Sequence, residues 1–427
     1  MPAPTPSLTI GDVHRFVRQR CLAPPGSGSG RVGVEIEWLV FDAEDPGRAL
    51  SLASLEAGLG AAGVLAGGGR TSLEPGGQVE LSSAPLHGIG KACLACEVDL
   101  AALRQGLAHG GMTLVGMGLD PTRPHRQVVA SPRYTAMATY FDAQGDAGRA
   151  MMCATASIQV NLDLVDEPAA AERWHRSHLL GPTLAAAFAN SPFAGGRPSG
   201  WRSSRLATWA VIDAGRTTPV LDGRGARGGR GGCHPAEGWA RYALDADVML
   251  VRAPGDRFLP LGAALPFRRW MSQGHELGYP TEDDLDYHLT TLFPPVRPRG
   301  WLELRMIDAL PDPWWRVATA VTAALVDDPE AAEGATAAAA GTSTLWDGAA
   351  RHGLSHPALA RSARGCFTAA MAALPRLGAD AETEAACAAY ADRYVERGRC
   401  PADDLLDAWA AEPNVLPIPP QEAPPWT

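Results

Sequence analysis

Four short stretches of the chain alternate apolar and polar residues with a period of two. They are Val34-Glu35-Ile36-Glu37-Trp38, Gln78-Val79-Glu80-Leu81-Ser82, Ser157-Ile158-Gln159-Val160-Asn161-Leu162-Asp163 and Leu302-Glu303-Leu304-Arg305-Met306. Side chains at i and i+2 share one face of a strand, so each stretch predicts a strand with one apolar and one polar face. The strands extend over 31–42, 71–83 (a turn and a strand), 153–164 and 301–307, and 112–118 and 242–252 read as further strands.

Longer periodic stretches predict helices over 51–66, 88–108 and 167–190, the last stopping near Asn190-Ser191-Pro192. From about Trp314 the chain is Ala-rich and helical to about 411, and a Pro-rich tail begins at Glu412. Strands and helices mix without regular βαβ alternation, which predicts an α+β fold around an antiparallel sheet. No internal repeat and no linker divides the chain, so the expectation is a single catalytic domain over 1–427 with its core at about 30–330. Residues 222–232, rich in Gly and Arg, read as a basic surface loop, with a mobile lid as the second possibility.

The polar faces carry Glu35 and Glu37, then Gln78, Glu80 and Ser82, then Ser157, Gln159, Asn161 and Asp163, then Glu303 and Arg305. Solvent faces of strands ordinarily mix Thr, Lys, Arg and Glu. A concentration of carboxylates and amides on neighbouring strands is self-repelling, and like charges directly opposite destabilise a sheet. Divalent cations with a taste for hard oxygen ligands remove that repulsion and hold phosphate oxygens at the same time. Arg305 shares its face with Glu303, and Arg202 and Arg205 follow in Gly200-Trp201-Arg202-Ser203-Ser204-Arg205. Guanidinium groups bind phosphate and carboxylate bidentately.

Composition narrows the chemistry. Lys91 is the single lysine, so Schiff-base chemistry or a lysine phosphate clamp rests on that residue alone, and anions fall to arginine, backbone amides or metal. A net charge of −10 argues against nucleic acid as a partner, which needs a concentrated basic surface. No apolar run approaches the roughly 20 residues of a membrane span, and Met1 to Asp12 lacks the pattern of a secretion signal. The expectation is a cytoplasmic protein without a membrane partner. Eight scattered cysteines then read as free thiols. Cys93 and Cys96 form a CxxC within a helix and read as packing, as does Cys153 at the start of its strand.

Six segments occur in order: Gly33-Val34-Glu35-Ile36-Glu37, Leu73-Glu74-Pro75-Gly76-Gly77-Gln78-Val79-Glu80-Leu81-Ser82, Ser157–Asp163, Ala189-Asn190-Ser191-Pro192-Phe193, His288-Leu289-Thr290-Thr291-Leu292-Phe293-Pro294 and Trp301-Leu302-Glu303-Leu304-Arg305. This run resembles the plant-type glutamate–cysteine ligases and their actinobacterial relatives over roughly residues 30–330. The Arg-rich, Lys-poor composition favours the actinobacterial branch, whose enzyme opens ergothioneine biosynthesis. The resemblance implies a curved antiparallel sheet of the glutamine synthetase/glutamate–cysteine ligase type with flanking helices. It also implies ATP and two or three Mg²⁺ ions, glutamate and cysteine as substrates, and a γ-glutamyl phosphate on the way to γ-glutamylcysteine.

Carried over by position, the resemblance makes Glu35, Glu37, Glu80 and Glu303 magnesium ligands, with Gln159 and Glu74 as further candidates. Gln159 stands where another bacterial branch has histidine. Arg305 faces the ATP phosphates, and Arg205 meets substrate carboxylate or the transferred phosphoryl group. Asn161 and Trp209 are pocket residues, and Arg133-Tyr134 belongs to a loop that closes over substrate. Beyond Ile307 the chain departs from the plant pattern. The rival expectations are a ligase with another acceptor amine, a nucleotide-binding protein without turnover, and a transferase that phosphorylates a guanidino substrate. Replacing Glu35 or Glu303 by alanine is expected to abolish turnover with the fold intact.

Two other signals carry less. Gly58-Leu59-Gly60-Ala61-Ala62-Gly63 fits GxGxxG, but it does not open a helix after a strand, as a dinucleotide fingerprint must. His175 and His178 read as surface residues of a helix.

Overall fold

Alternation of β-branched, aromatic and acidic residues makes Arg31–Asp42 a 12-residue strand, long enough to pair with four others. The computed structural model describes residues 8–24, 30–166, 169–220, 234–413, 415 and 418. Its strands are β1 (Arg31–Asp42), β2 (Arg70–Leu73), β3 (Val79–Ser82), β4 (Leu86–His87), β5 (Met112–Val115), β6 (Ser157–Asp163), β7 (Phe193–Ala194), β8 (Arg197–Pro198), β9 (Leu250–Ala253), β10 (Arg257–Pro260), β11 (Val296–Pro298) and β12 (Trp301–Asp308). Eight of them form one open sheet in the order β11-β12-β6-β1-β3-β2, with β4 and β5 also paired to β1. Every pairing in it is antiparallel. The fold is α+β, and the four alternating stretches lie side by side in the middle of the sheet.

The apolar face of that sheet carries Val32, Val34, Ile36, Trp38, Val79, Leu81, Ile158, Val160, Leu162, Leu302 and Leu304, all buried. It packs on the helices Ile89–His109, Ala169–Ala187 and Trp314–Asp327, whose Leu100, Leu103, Leu180, Leu184, Val317 and Val321 belong to the same cluster. The polar face is roofed by the helices Pro132–Asp142, Ala147–Ala154 and Ser204–Ala210. A second apolar cluster built on Met137, Phe141, Met151, Met152, Ile212, Met249 and Leu250 holds this roof together. Among the described residues no helix is long and apolar enough to cross a membrane.

On β12 the pairing shifts by one residue. Leu304 faces Val160, but Ile307 faces Ile158 and Asp308 faces Ser157. The extra residue is a bulge, and it turns Asp308 onto the face that carries Glu303.

Local readings differ from the sequence expectation in several places. Residues 242–252 are not one strand: a helix covers Pro235–Asp245, and only Leu250–Ala253 pairs. Trp239, Ala240, Ala243 and Leu244 make a helical stripe that outweighs the local alternation. Cys153 lies in the helix Ala147–Ala154, whose last turn is tied off by Thr155 Oγ1 on Met151 O, and the strand starts at Ser157. Residues 71–83 form a hairpin of two strands rather than a turn and one strand. His178 is buried against Trp174, with ring centroids 4.5 Å apart, instead of lying on the surface. Gly58 to Ala62 lie inside the helix Leu52–Ala62. Cys93 and Cys96 are free and buried. The Gly/Arg segment 222–232 lies outside the described residues.

Candidate active site

Sheet register brings the charged side chains together. Across the strands, Glu303 faces Asn161 and Gln159 faces Glu35. Glu35 in turn faces Ser82, and Glu37 faces Glu80. A cavity of about 380 Å³ opens between this face and the helical roof. Its wall includes Glu35, Glu37, Glu74, Glu80, Gln159, Arg133, Tyr134, Arg205, Trp209 and Arg305. Ten of the twelve residues expected from sequence therefore line one space. Asn161 and Glu303 are the two that do not reach its wall; both stand behind residues that do.

Glu35, Glu37 and Glu80 are each held by specific donors. Glu37 accepts from Ser157 N (2.7 Å), Ser157 Oγ (3.0 Å) and Gln159 Nε2 (3.1 Å). Glu35 accepts from Asn161 Nδ2 at 2.9 Å. Glu80 Oε1 accepts from Ser72 Oγ (3.1 Å) and Ser82 Oγ (3.0 Å). Glu74 sits in the turn between β2 and β3, beside Gly76, whose N donates to Gln78 Oε1 at 3.0 Å. Gln78 Nε2 donates in turn to Thr155 O at 2.8 Å, which clamps that turn to the roof.

Nearby arginines compensate these carboxylates only in part. Burial, then Glu303 and Glu80, push Glu35 up to about 7. Burial, then Glu37 and Glu80, push Glu74 up to about 8. Glu80 is raised by burial and by Glu37. Glu37 is also raised, by burial, against the pull of Arg205 and Arg305. Glu303 goes the other way: burial opposes its ionisation, but Arg297 and Arg305 outweigh burial and hold it down at about 2. Both oxygens of Glu303 are taken, by Arg297 Nε (2.7 Å) and Nη2 (3.2 Å), with Arg305 Nη1 at 2.9 Å.

Arg297 and Arg299 line the cavity and were not among the expected residues. The signal was available: they alternate in Pro294-Pro295-Val296-Arg297-Pro298-Arg299-Gly300, directly before the Glu303 strand. The hairpin β11–β12 places Arg297 opposite Glu303. Thr290, in the quoted His288–Pro294 segment, accepts from Arg133 Nη2 through Oγ1 at 3.1 Å.

Arg305 Nη1 also bonds Gln159 Oε1, and Arg205 Nη2 donates to the backbone oxygen of Arg305 at 2.7 Å. Both guanidinium carbons lie 5.9 Å from the centre of the Trp209 ring, which packs edge-on against Phe293 at 5.6 Å. The donor set fits hard cations: four half-buried carboxylates with raised pKa values, on a wall shared with arginines. Among the described residues no three His, Cys, Asp or Glu side chains close into a ready metal cage. An occupied site would therefore complete its shell with substrate oxygens and water, the habit of Mg²⁺. Chemically, the arrangement suits transfer of a phosphoryl group between anions that repel one another.

The family described as glutamate-cysteine ligase family 2 (GCS2) matches residues 31–421. The chain is 45% identical over 382 residues to glutamate–cysteine ligase EgtA of Mycolicibacterium smegmatis, covering 88% of this chain and 87% of that one. It is 43% identical over 383 residues to EgtA of Mycobacterium tuberculosis (88% and 86%). It is 33% identical over 254 residues to the chloroplastic glutamate–cysteine ligase of Nicotiana tabacum, covering 58% of this chain and 46% of that one. Among solved structures, the glutamate–cysteine ligase of Francisella tularensis in complex with AMP superimposes with a TM-score of 0.54. That likeness covers 90% of this chain and 86% of the other at 10% identity, and it concerns the fold.

Proposed function

Because the chain belongs to glutamate–cysteine ligase family 2, we propose that it joins the γ-carboxylate of L-glutamate to the amine of L-cysteine at the expense of ATP, giving γ-glutamylcysteine, ADP and phosphate. Similarity to the mycobacterial EgtA ligases supports the expectation that this product enters ergothioneine biosynthesis.

A carboxylate is a poor electrophile because its charge is delocalised. In the proposed reaction a γ-carboxylate oxygen of glutamate attacks the terminal phosphorus of ATP and ADP leaves. The amine of cysteine then adds to the acyl carbon, phosphate departs with a proton, and the amide remains. Little covalent work falls to the protein, whose share is positioning and charge neutralisation. Arg305 and Arg205 meet the phosphoryl group and the glutamate carboxylate, and Arg133 and Tyr134 approach from the opposite wall. Trp209 and Phe293 exclude water from the side of attack. Glu35, Glu37, Glu74 and Glu80 would hold Mg²⁺. The oxygens of Gln159 and Glu303 already accept from guanidinium groups and reach a metal only by exchanging those bonds. Magnesium, when bound, neutralises phosphate oxygens against the carboxylate face.

The observation that carries this reading is the wall itself: crowded carboxylates and five arginines lining one cavity. Coupled ADP release with glutamate, cysteine and Mg·ATP tests it. ADP formation that needs both amino acids is expected, and no ADP with any amino-acid pair overturns it. A second cavity of about 300 Å³ shares Arg205, Trp209, Phe293 and Arg305 with the first and is otherwise mostly apolar, with Trp201, Leu206, Met306 and Trp346 on its wall. That space favours an acceptor amine larger than cysteine as the second reading. Comparing kcat/KM across a panel of amines separates the two.

A further inference from the structure

Arg205 is almost wholly buried, yet it lines both cavities. A buried guanidinium needs a counter-charge to stay ionised and a fixed neighbour to keep one direction. Burial does lower the pKa of Arg205, and the carboxylate of Asp308 opposes that. Arg205 Nη1 lies 3.6 Å from Asp308 Oδ1 and makes no hydrogen bond of its own.

Asp308 is buried and saturated by contacts around Arg205. Its Oδ2 accepts from Asn190 N at 2.9 Å and Ser191 Oγ at 2.7 Å. Its Oδ1 accepts from Ser203 Oγ at 2.9 Å. Ser203 Oγ also caps the helix Ser204–Ala210 by accepting from Leu206 N at 3.2 Å, and Ser191 Oγ accepts from Arg205 N at 3.2 Å. One carboxylate thus anchors the start of the helix that carries Arg205 and faces the guanidinium at its end. There is little room to move: a Cβ on Gly118 would stand 2.5 Å from Asp308 Cγ. The bulge in β12 brings Asp308 to this face opposite Ser157, a cavity-lining residue.

We infer that Asp308 is a positioning residue of the reaction: through Ser191, Ser203 and its own charge it aims Arg205 at the carboxylate of glutamate. The inference rests on the ligase reading. It concerns how Arg205 is held, not what Asp308 touches, since Asp308 itself does not line the cavity.

The test is steady-state kinetics of the full chain with glutamate and ATP varied separately. Asp308→Asn keeps the shape and removes the charge. The glutamate KM is expected to rise about ten-fold or more while the ATP KM stays within about two-fold, the split of a lost interaction with one substrate. In an Arg205→Lys background the same substitution is expected to change the glutamate KM by less than about two-fold, because Asp308 then has no fork to aim. Should Asp308→Asn fail to fold, Ser203→Ala withdraws one donor from Oδ1, and a rise of about three-fold confined to the glutamate KM is expected. Equal rises in both KM values, an unchanged glutamate KM, or full additivity with Arg205→Lys overturns the assignment. A wild-type protein that makes no product fails earlier and overturns the reaction together with the assignment. Product with unaltered selectivity in the variants overturns Asp308 alone.

Discussion

Glu37 and Glu80 stand directly opposite one another across the antiparallel pairing of β1 and β3. Facing like charges cost a sheet some tenths of a kcal/mol or more, and here they are half-buried, with Glu74 beside them on the cavity wall.

The first prediction is a pH-dependent stability that magnesium suppresses. Glu35 and Glu74 ionise near 7 and 8 in the fold against 4.5 ordinarily. Between those values the folded chain keeps protons that the unfolded chain has lost, so raising the pH favours unfolding. The stabilisation is complete below 4.5 and is lost as pH rises through about 7 and then 8. Thermal melts in chelator are expected to fall from about pH 5 to about pH 9 and to flatten when Mg²⁺ is added. A flat metal-free profile would contradict the picture of carboxylates crowded beyond what the arginines offset.

Glu35 and Glu303 should separate when each is replaced by alanine. Glu35→Ala removes a carboxylate that is itself repelled by its neighbours, so turnover is expected to drop by at least about 10²-fold with the melting temperature kept or raised. Glu303→Ala leaves Arg297 and Arg305 without their partner, so it is expected to cost stability as well as turnover. The buried ion pairs of Glu303 are the reason to expect the two variants to differ in stability. Circular dichroism melts beside ADP release measure the difference, and equal melting temperatures for the two variants would refute it.

The same pair gives a sharper stability test from its other end. Arg297→Met leaves the carboxylate of Glu303 buried with one guanidinium fewer. Breaking a buried pair from one side typically costs about 3–5 kcal/mol, measured here by urea unfolding. A loss below about 1 kcal/mol would place the anchoring of Glu303 on Arg305 and Arg299.

The polar faces of β1, β3, β6 and β12 were legible because a period of two is written in adjacent residues. The neighbours of each strand are not written there, and the resemblance supplied what periodicity could not. The pairing of Glu303 with Arg297 was hidden because Pro294, Pro295 and Pro298 make the β11 segment read as loop. Asp308 was hidden by the bulge: strict alternation from Glu303 and Arg305 assigns it to the face of Leu304 and Met306. Helix and strand traded places around Tyr242 and Cys153 for a related reason, since short apolar runs satisfy both periods until tertiary packing chooses.

A backbone test concerns the turn that carries Glu74. A Cβ on Gly76 would lie 2.0 Å from the backbone oxygen of Cys153, so Gly76→Ala must push the turn away from the helix Ala147–Ala154. An overpacking cost of about 1–3 kcal/mol is expected, with a raised Mg²⁺ requirement for turnover as Glu74 shifts. Wild-type values for both would show that the contact yields without moving Glu74.

The bulge between Leu304 and Ile307 makes length, more than identity, the constrained property of β12. Forced into regular pairing at its present length, the strand would swap the sides of everything beyond the bulge, sending Asp308 into the apolar layer and Ile307 toward the arginines. Drift in this strand should therefore proceed by exchange of similar side chains, while insertions and deletions gather in its flanking turns.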